Sequence, residues 1–510
     1  MGNTVWEKLN KTELKKLHVF NEDYRVFLSN SKTERTFVTN SVAFAEAHGF
    51  KPIEKAKKLK VGDRYYAVNK GKNVILFVIG KKPLTEGMNI LGAHIDSPRM
   101  DLKQKPIYEK DGLVLMDTHY YGGIKKYQWV ARAMALVGVV CKKDGTTVEI
   151  NIGDKPGDPV VGISDLLIHL AAQQLQKPAA TVVEGEKLDL LVGSIPKKDG
   201  TTVEINIGDK PGDPVVGISD LLIHLAAQQL QKPAATVVEG EKLDLLVGSI
   251  PKKGVEKDPV KAYLLDLLKE QYDIDEDDFL SAEIEVVPAG EARDYGLDRS
   301  MILGYGHDDK VCAYTSLRAI AEIDKPERTS VCILVDKEEI GSVGATGAHS
   351  DFFEHVVTKL LDKQVGATLV NLHGALENSA MLSSDVSVAY DPNYPEVYEP
   401  KNSAYFGKGI CFNKYTGSRG KSGSNDASAE FMAQIRKCMD DNNVMFQTCE
   451  LGKIDVGGGG TIAYILANKN MNVIDAGICV QNMHAPFETV SKADVYEAYR
   501  AYIAFLKDMK

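Results

Sequence analysis

The sequence predicts an α/β fold in which one domain is interrupted by an inserted, more β-rich one. Three observations carry this. Short apolar runs bounded by Gly and Lys occur at 73–79, 88–94 and 330–335, the pattern of strands buried on both faces of a mostly parallel, mixed sheet. Between about 100 and 294 the texture changes to hairpins with turn signals. Toward the C-terminus helical stretches follow the apolar runs, as when helices flank a central sheet. At 510 residues the chain is too long for one ordinary core and suits two domains, or one large domain with an insertion.

The elements follow in order. Asn73–Ile79 and Met88–His94 are the first two buried strands. Lys110-Asp111-Gly112 and Lys142-Lys143-Asp144-Gly145 are turn signals between strands of the insertion. Ser330–Val335 restores the buried-strand texture, and Lys492–Leu506 is an amphipathic helix closing the chain. The boundaries are therefore 1–99 with 295–510 for the interrupted domain and 100–294 for the insertion.

Inside the insertion, residues 142–196 recur without a difference as 197–251. Old structural repeats diverge and arrays need at least about three copies, so this is read as a recent duplication or an assembly artefact. One copy holds a strand, a helix over 165–174 followed by Pro178, and a second strand over 187–195, too little to bury its own core. Short loops close most cheaply, so Ala133–Val140 is expected to pair with the first copy's Thr146–Ile152. The end of the second copy adjoins the returning chain at Gly254, so the native insertion is expected to be a hybrid of the two copies, with the surplus extruded.

A net charge of −10 disfavours nucleic acid, whose binding relies on basic residues neutralising phosphates. The seven cysteines are odd in number, scattered and without a Cys-x-x-Cys pair, which reads as reduced thiols in a cytoplasmic protein. Met1–Lys8 has no apolar signal core, and no apolar run reaches the ~18 residues of a membrane span.

Five distant segments each offer a hard metal ligand beside a strand end. They contain His94, Asp308, the pair Glu338-Glu339, Asp385 and His484. Two His, two Asp and a Glu can hold two divalent metals, with one further Glu left to move a proton. His94 and Asp96 alternate onto one side of their strand, so the carboxylate can orient the imidazole; a lone His is otherwise more often structural. Asp308-Asp309 follows a Gly-rich turn, where one carboxylate can reach two metals. The competing reading is a helix N-terminal charge, which for Asp309 is equally good. Glu338-Glu339 directly follows an apolar strand, where open α/β sheets place active sites. Adjacent acids point different ways, so one binds metal and the other faces the attacking water, whose pKa a metal lowers toward ~7; a solvated loop is the bland alternative. Asp385 and His484 are unremarkable alone. The Gly-rich stretches at 417–426 and 457–460 do not form a G-x-x-x-x-G-K-[ST] phosphate loop. They suit close approach of a substrate backbone instead, with Arg419 and Lys421 available to a substrate carboxylate.

In this order the segments resemble the M18 metallopeptidases, the aspartyl aminopeptidases. The matching motifs are Gly-Ala-His94-Ile-Asp96-Ser-Pro, Asp308-Asp309, Asp-Lys-Glu338-Glu339-Ile-Gly-Ser, Ser-Ser-Asp385 followed by Asp391-Pro-Asn-Tyr, Gly-Gly-Gly-Gly-Thr461-Ile and Met-His484. The resemblance covers nearly the whole chain apart from the extra copy. It implies a zinc-peptidase domain carrying an inserted dimerisation domain, two zinc ions, and removal of N-terminal Asp or Glu from peptides. By carry-over His94 and Asp385 hold one metal, Glu339 and His484 the other, and Asp308 bridges them; Glu338 is the general base and Asp96 orients His94. It implies dodecamers built from dimers, with a His of the insertion reaching a neighbouring subunit's site. That His occurs twice here, as His169 and His224. Two rival readings stay open: a related dizinc aminopeptidase or deacylase of neutral specificity, and an inactive assembly protein.

Overall fold

The computed structural model describes residues 4–110, 113–129, 132–154, 161–163, 245–417, 420–454 and 456–509. Their strands, in chain order, are β1 (Lys51–Pro52), β2 (Arg64–Asn69), β3 (Asn73–Val78), β4 (Met88–His94), β5 (Arg99–Lys110), β6 (Leu113–Tyr121), β7 (Met134–Cys141), β8 (Thr147–Ile152), β9 (Gly162–Ile163), β10 (Leu245–Gly248) and β11 (Ala282–Pro288). They continue as β12 (Arg293–Tyr295), β13 (Met301–Gly304), β14 (Thr329–Val335), β15 (Ala380–Ser383), β16 (Ser387–Val388), β17 (Ile410–Asn413), β18 (Phe446–Thr448), β19 (Asn472–Gly477), β20 (Cys479–Gln481) and β21 (Glu488–Ser491). Two compact units result, one comprising Met1–Ser97, Arg293–Met483 and Glu488–Lys510, the other Pro98–Ala292 with His484–Phe487.

The first unit is built on a nine-stranded sheet in the order β1-β2-β3-β14-β4-β15-β19-β17-β18. Its centre, β14-β4-β15-β19, is parallel, while the β2-β3, β3-β14 and β17-β19 pairings are antiparallel, so the sheet is mixed and mostly parallel. Every residue of β3, β4 and β14 is buried, which is why their sequences read as unbroken apolar runs rather than alternating ones. Helix Lys492–Asp508 lies in this unit, with Tyr502 donating to the Ala476 carbonyl of β19 at 2.9 Å. Phe20 of helix Lys11–Ser29 packs against Tyr314 of helix His307–Ala321 and against Tyr496 and Tyr499 of helix Lys492–Asp508. A smaller sheet, β12-β13-β21-β20-β16, completes the unit.

The second unit is a seven-stranded sheet in the order β8-β7-β11-β5-β6-β10-β9, antiparallel throughout among the described residues. Across the Lys142–Gly145 turn β7 pairs with β8, Leu136 facing Ile152, the pairing that the short loop favours. Strands β8 and β9 come from the first copy of the repeat and β10 from the second, so the sheet draws on both. The helix read at 165–174, its duplicate, and the fate of the surplus copy lie outside the described residues.

Candidate active site

Three neighbouring parallel strands deliver the predicted acids together. The register pairs Val335 of β14 with His94 of β4, and Ser383 of β15 with Gly92 of β4. Residues just past their carboxyl ends, Glu338-Glu339, Asp96 and Asp385, therefore emerge side by side, where open α/β sheets carry their ligands. On the next strand, a Cβ on Gly477 would stand 1.8 Å from the Asp385 carbonyl oxygen, so only glycine lets that loop lie so close. Asp308 follows β13, whose Gly304 pairs with Glu488 of β21. Asp308 and Asp309 are joined by a cis peptide and have non-helical backbone at the mouth of helix His307–Ala321.

His94 is at the centre. Its Nδ1 lies 3.3 Å from Asp96 Oδ1 and 3.1 Å from the Asp96 carbonyl oxygen, which places the ring proton there. Its Nε2 lies 3.2 Å from Asp308 Oδ1, and 4.0 Å from each of Glu338 Oε2 and Asp385 Oδ1. Burial works to lower the His94 pKa, but Asp308 and Asp96 outweigh it and hold the imidazole well above its ordinary range. Asp96 has a second role: its Oδ1 accepts the Glu338 N–H at 3.1 Å and its Oδ2 the Glu339 N–H at 3.2 Å. One carboxylate thus orients the imidazole and fixes the backbone of both glutamates.

Two donor sets converge on the imidazole. Ligand atoms of His94, Asp308 and Glu339 lie within 4.8 Å of one another, as do those of His94, Asp309 and Asp385. Burial, with Asp309 close by, raises the Asp385 pKa well above the carboxylate range, and burial does the same to Asp309. Asp309 Oδ1 is buried with no hydrogen-bond partner, while Oδ2 accepts the His94 N–H at 3.2 Å. Crowded acids around one imidazole, with an orphaned buried oxygen, are a donor set that a divalent cation fits. In the sequence Asp309 is evenly balanced between ligand and helix-start charge, and nothing there marks Ser97, Lys310 or Glu488, which also surround Asp308. The adjacency Asp308-Asp309 was the signal available for the first; the others carried none.

The remaining predicted residues are not members of these two donor sets. His484 falls in the second unit, half-buried, with Nδ1 2.8 Å from the Gly123 carbonyl oxygen, which directs its lone pair to Nε2. Lys421 lines a cavity of about 170 Å³ with Tyr415, Glu450 and Lys453. Its Nζ is 2.8 Å from Asp426 Oδ2 and 3.8 Å from the centre of the Tyr415 ring. Arg419, His169 and His224 lie outside the described residues.

The family model for the aminopeptidase I zinc metalloproteases (M18) matches residues 27–193 and 187–506. The chain belongs to the M18 family. This M18 member is therefore a zinc metallo-aminopeptidase, a hydrolase. A probable M18 family aminopeptidase 1 from Clostridium acetobutylicum is 49% identical over 508 residues, covering 99% of this chain and 98% of that one. A probable M18 family aminopeptidase 1 from Thermotoga maritima is 40% identical over 507 residues, covering 99% and 98%. Among solved structures, the M18 aminopeptidase from Thermotoga maritima superposes with a TM-score of 0.84 at 38% identity, covering 99% of each chain. Aminopeptidase I from Clostridium acetobutylicum superposes at 0.83 and 47% identity, again over 99% of each chain. The fold extends to S. cerevisiae mApe1, solved as a dodecamer, with a TM-score of 0.68 at 18% identity over 96% of each chain. Among the described residues, no helix of this M18 protein is long and apolar enough to cross a membrane.

Proposed function

We propose that this M18 enzyme uses two zinc ions to remove N-terminal acidic residues, Asp or Glu, from peptides. The observation that carries the metal reading is the convergence of Asp308, Glu338 and Asp385 on Nε2 of His94, the last two from the ends of strands beside β4. His94 and Asp385 are assigned to one ion, Glu339 and His484 to the other, and Asp308 to both; His484 is assigned by its Met-His motif and supported by its tautomer-fixing bond to Gly123. Bound zinc would polarise the peptide carbonyl and lower the pKa of a water. Glu338 takes the proton of that water and returns it to the leaving amine. Asp96 keeps the His94 proton on Nδ1 and holds the Glu338 and Glu339 amides. Lys421 and Arg419 are proposed to receive the acidic side chain.

One observation favours the neutral-specificity alternative. Lys421 is already paired with Asp426, so a substrate carboxylate has to compete for it. Turnover of peptides bearing N-terminal Asp, Glu, Leu or Ala, before and after chelation, separates the readings. Preference for Asp and Glu, lost on chelation and restored by zinc, is expected. Preference for Leu or Ala would overturn the acidic assignment, and activity indifferent to chelation would overturn the metal assignment. A dimer-based homo-oligomer, a dodecamer by resemblance, is also proposed, with His169 or His224 completing a neighbour's pocket; solution mass by light scattering tests it. The proposed compartment is the cytoplasm, on the odd number and scatter of the cysteines.

A further inference from the structure

The backbone of Asp308 is held in an unusual way. A residue at a helix mouth ordinarily satisfies its peptide groups through the helix, water or a neutral cap. Here the Asp308 N–H donates to Glu488 Oε2 at 2.9 Å. Its carbonyl oxygen accepts from Ser97 Oγ at 2.7 Å, and that hydroxyl accepts in turn from Lys310 Nζ at 2.5 Å. Ser97, Lys310 and Glu488 are all buried, Lys310 completely. The Lys310 ammonium also lies 5.3 Å from the centre of the Tyr305 ring.

Burying an ammonium and a carboxylate is costly, and apolar or neutral groups would serve packing alone better. Charge at both ends of the arrangement gives short, directional bonds. The turn is shaped to admit it: a Cβ on Gly306 would stand 2.7 Å from Ser97 Oγ and 2.8 Å from Lys310 Nζ. Gly306 also has φ +76, where side chains are rarely found. The sequence Gly306-His307-Asp308-Asp309-Lys310 therefore supplies the carboxylate, the cation and the space between them.

We propose that Lys310, through Ser97, and Glu488 are positioning residues that fix the Asp308 carboxylate for metal binding. This rests on the reading of Asp308 as a metal ligand. Each acts through the Asp308 peptide, Glu488 on its N–H and Lys310 through Ser97 on its carbonyl oxygen. Groups of this kind shift metal affinity by about 10- to 100-fold.

The test is zinc affinity by chelator competition on purified full-length protein, with cobalt(II) absorption as a second readout of ligand geometry. Lys310→Met and Ser97→Ala are expected to weaken zinc binding about 10-fold or more and to change the cobalt spectrum. Glu488→Gln keeps an acceptor for the Asp308 N–H and is expected to stay nearer to wild type than Glu488→Ala. Ser97→Ala removes one hydroxyl and should fold even if Lys310→Met does not. Zinc affinity within twofold of wild type and an unchanged cobalt spectrum in folded Ser97→Ala overturn the proposal, because a purely structural role lowers thermal stability without moving either readout. Asp308→Ala separates the premises. If it keeps full zinc affinity, the ligand reading fails; if it loses zinc while Ser97→Ala and Lys310→Met do not, the positioning proposal alone fails.

Discussion

Asp96 has both oxygens on backbone amides and Oδ1 also on an imidazole, so the two glutamates beyond β14 share one anchor. That leaves their side chains as the distinguishing feature, and the proposed division of labour between them can be tested singly. Glu338→Gln should lower kcat by about 10²–10⁴, the range for losing a general base. Zinc content should stay at the wild-type value; retained turnover would sink the assignment of Glu338. A second buried acid gives a pH prediction. Asp475 accepts from Thr461 Oγ1 at 2.5 Å, and burial pushes its pKa up to about 7. The unfolded chain releases this proton near the ordinary carboxylate range and the folded chain only near 7, so between those values the native state holds more protons. This group's contribution to stability therefore falls as pH rises through that window and levels off above it. Asp475→Asn should match the zinc-free wild type near pH 4 and exceed it by a few kcal/mol at pH 8, each pKa unit being worth about 1.4 kcal/mol. Parallel Tm-versus-pH curves for the two proteins would contradict this.

At the scale of elements, the site depends on how closely β19 approaches the segment that follows β15. Gly477→Ala places a methyl against the Asp385 carbonyl oxygen, and backbone on both sides has to move. Overpacking of this kind costs about 1–3 kcal/mol. Because the displaced segment carries Asp385, thermal stability and zinc affinity should fall together; a variant losing stability alone would show that the segment yields without moving the ligand. The same elements show what could be read in advance. The strands β3, β4 and β14 were legible because burial on both faces writes an unbroken apolar run. His94, Glu338, Glu339 and Asp385 were legible because polar residues ending such runs stand out. Glu488 and Lys310 were not. Glu488 reaches Asp308 across 180 residues through the β13–β21 register, and Lys310 reaches Ser97 across 213, contacts that no local pattern encodes. Asp309 was ambiguous because a helix N-terminus and a metal site call for the same residue type.

For the whole molecule, the question is how a chain with two identical 55-residue segments keeps one seven-stranded sheet. The sheet takes β8 and β9 from the first copy and β10 from the second, so the chain linking Ile163 to Leu245 is 55 residues longer than one copy requires. Removing 55 residues from within the repeat shortens that link about threefold, worth about 1 kcal/mol of closure entropy. The shortened protein should keep wild-type zinc content and activity with an equal or slightly higher Tm; failure to fold would mean that the extra copy is required. Every 55-residue deletion that begins between Lys142 and Lys197 yields the same polypeptide. The repeat is therefore reversible at the level of the polypeptide: wherever within it the cut falls, the same single copy remains between Cys141 and Gly254.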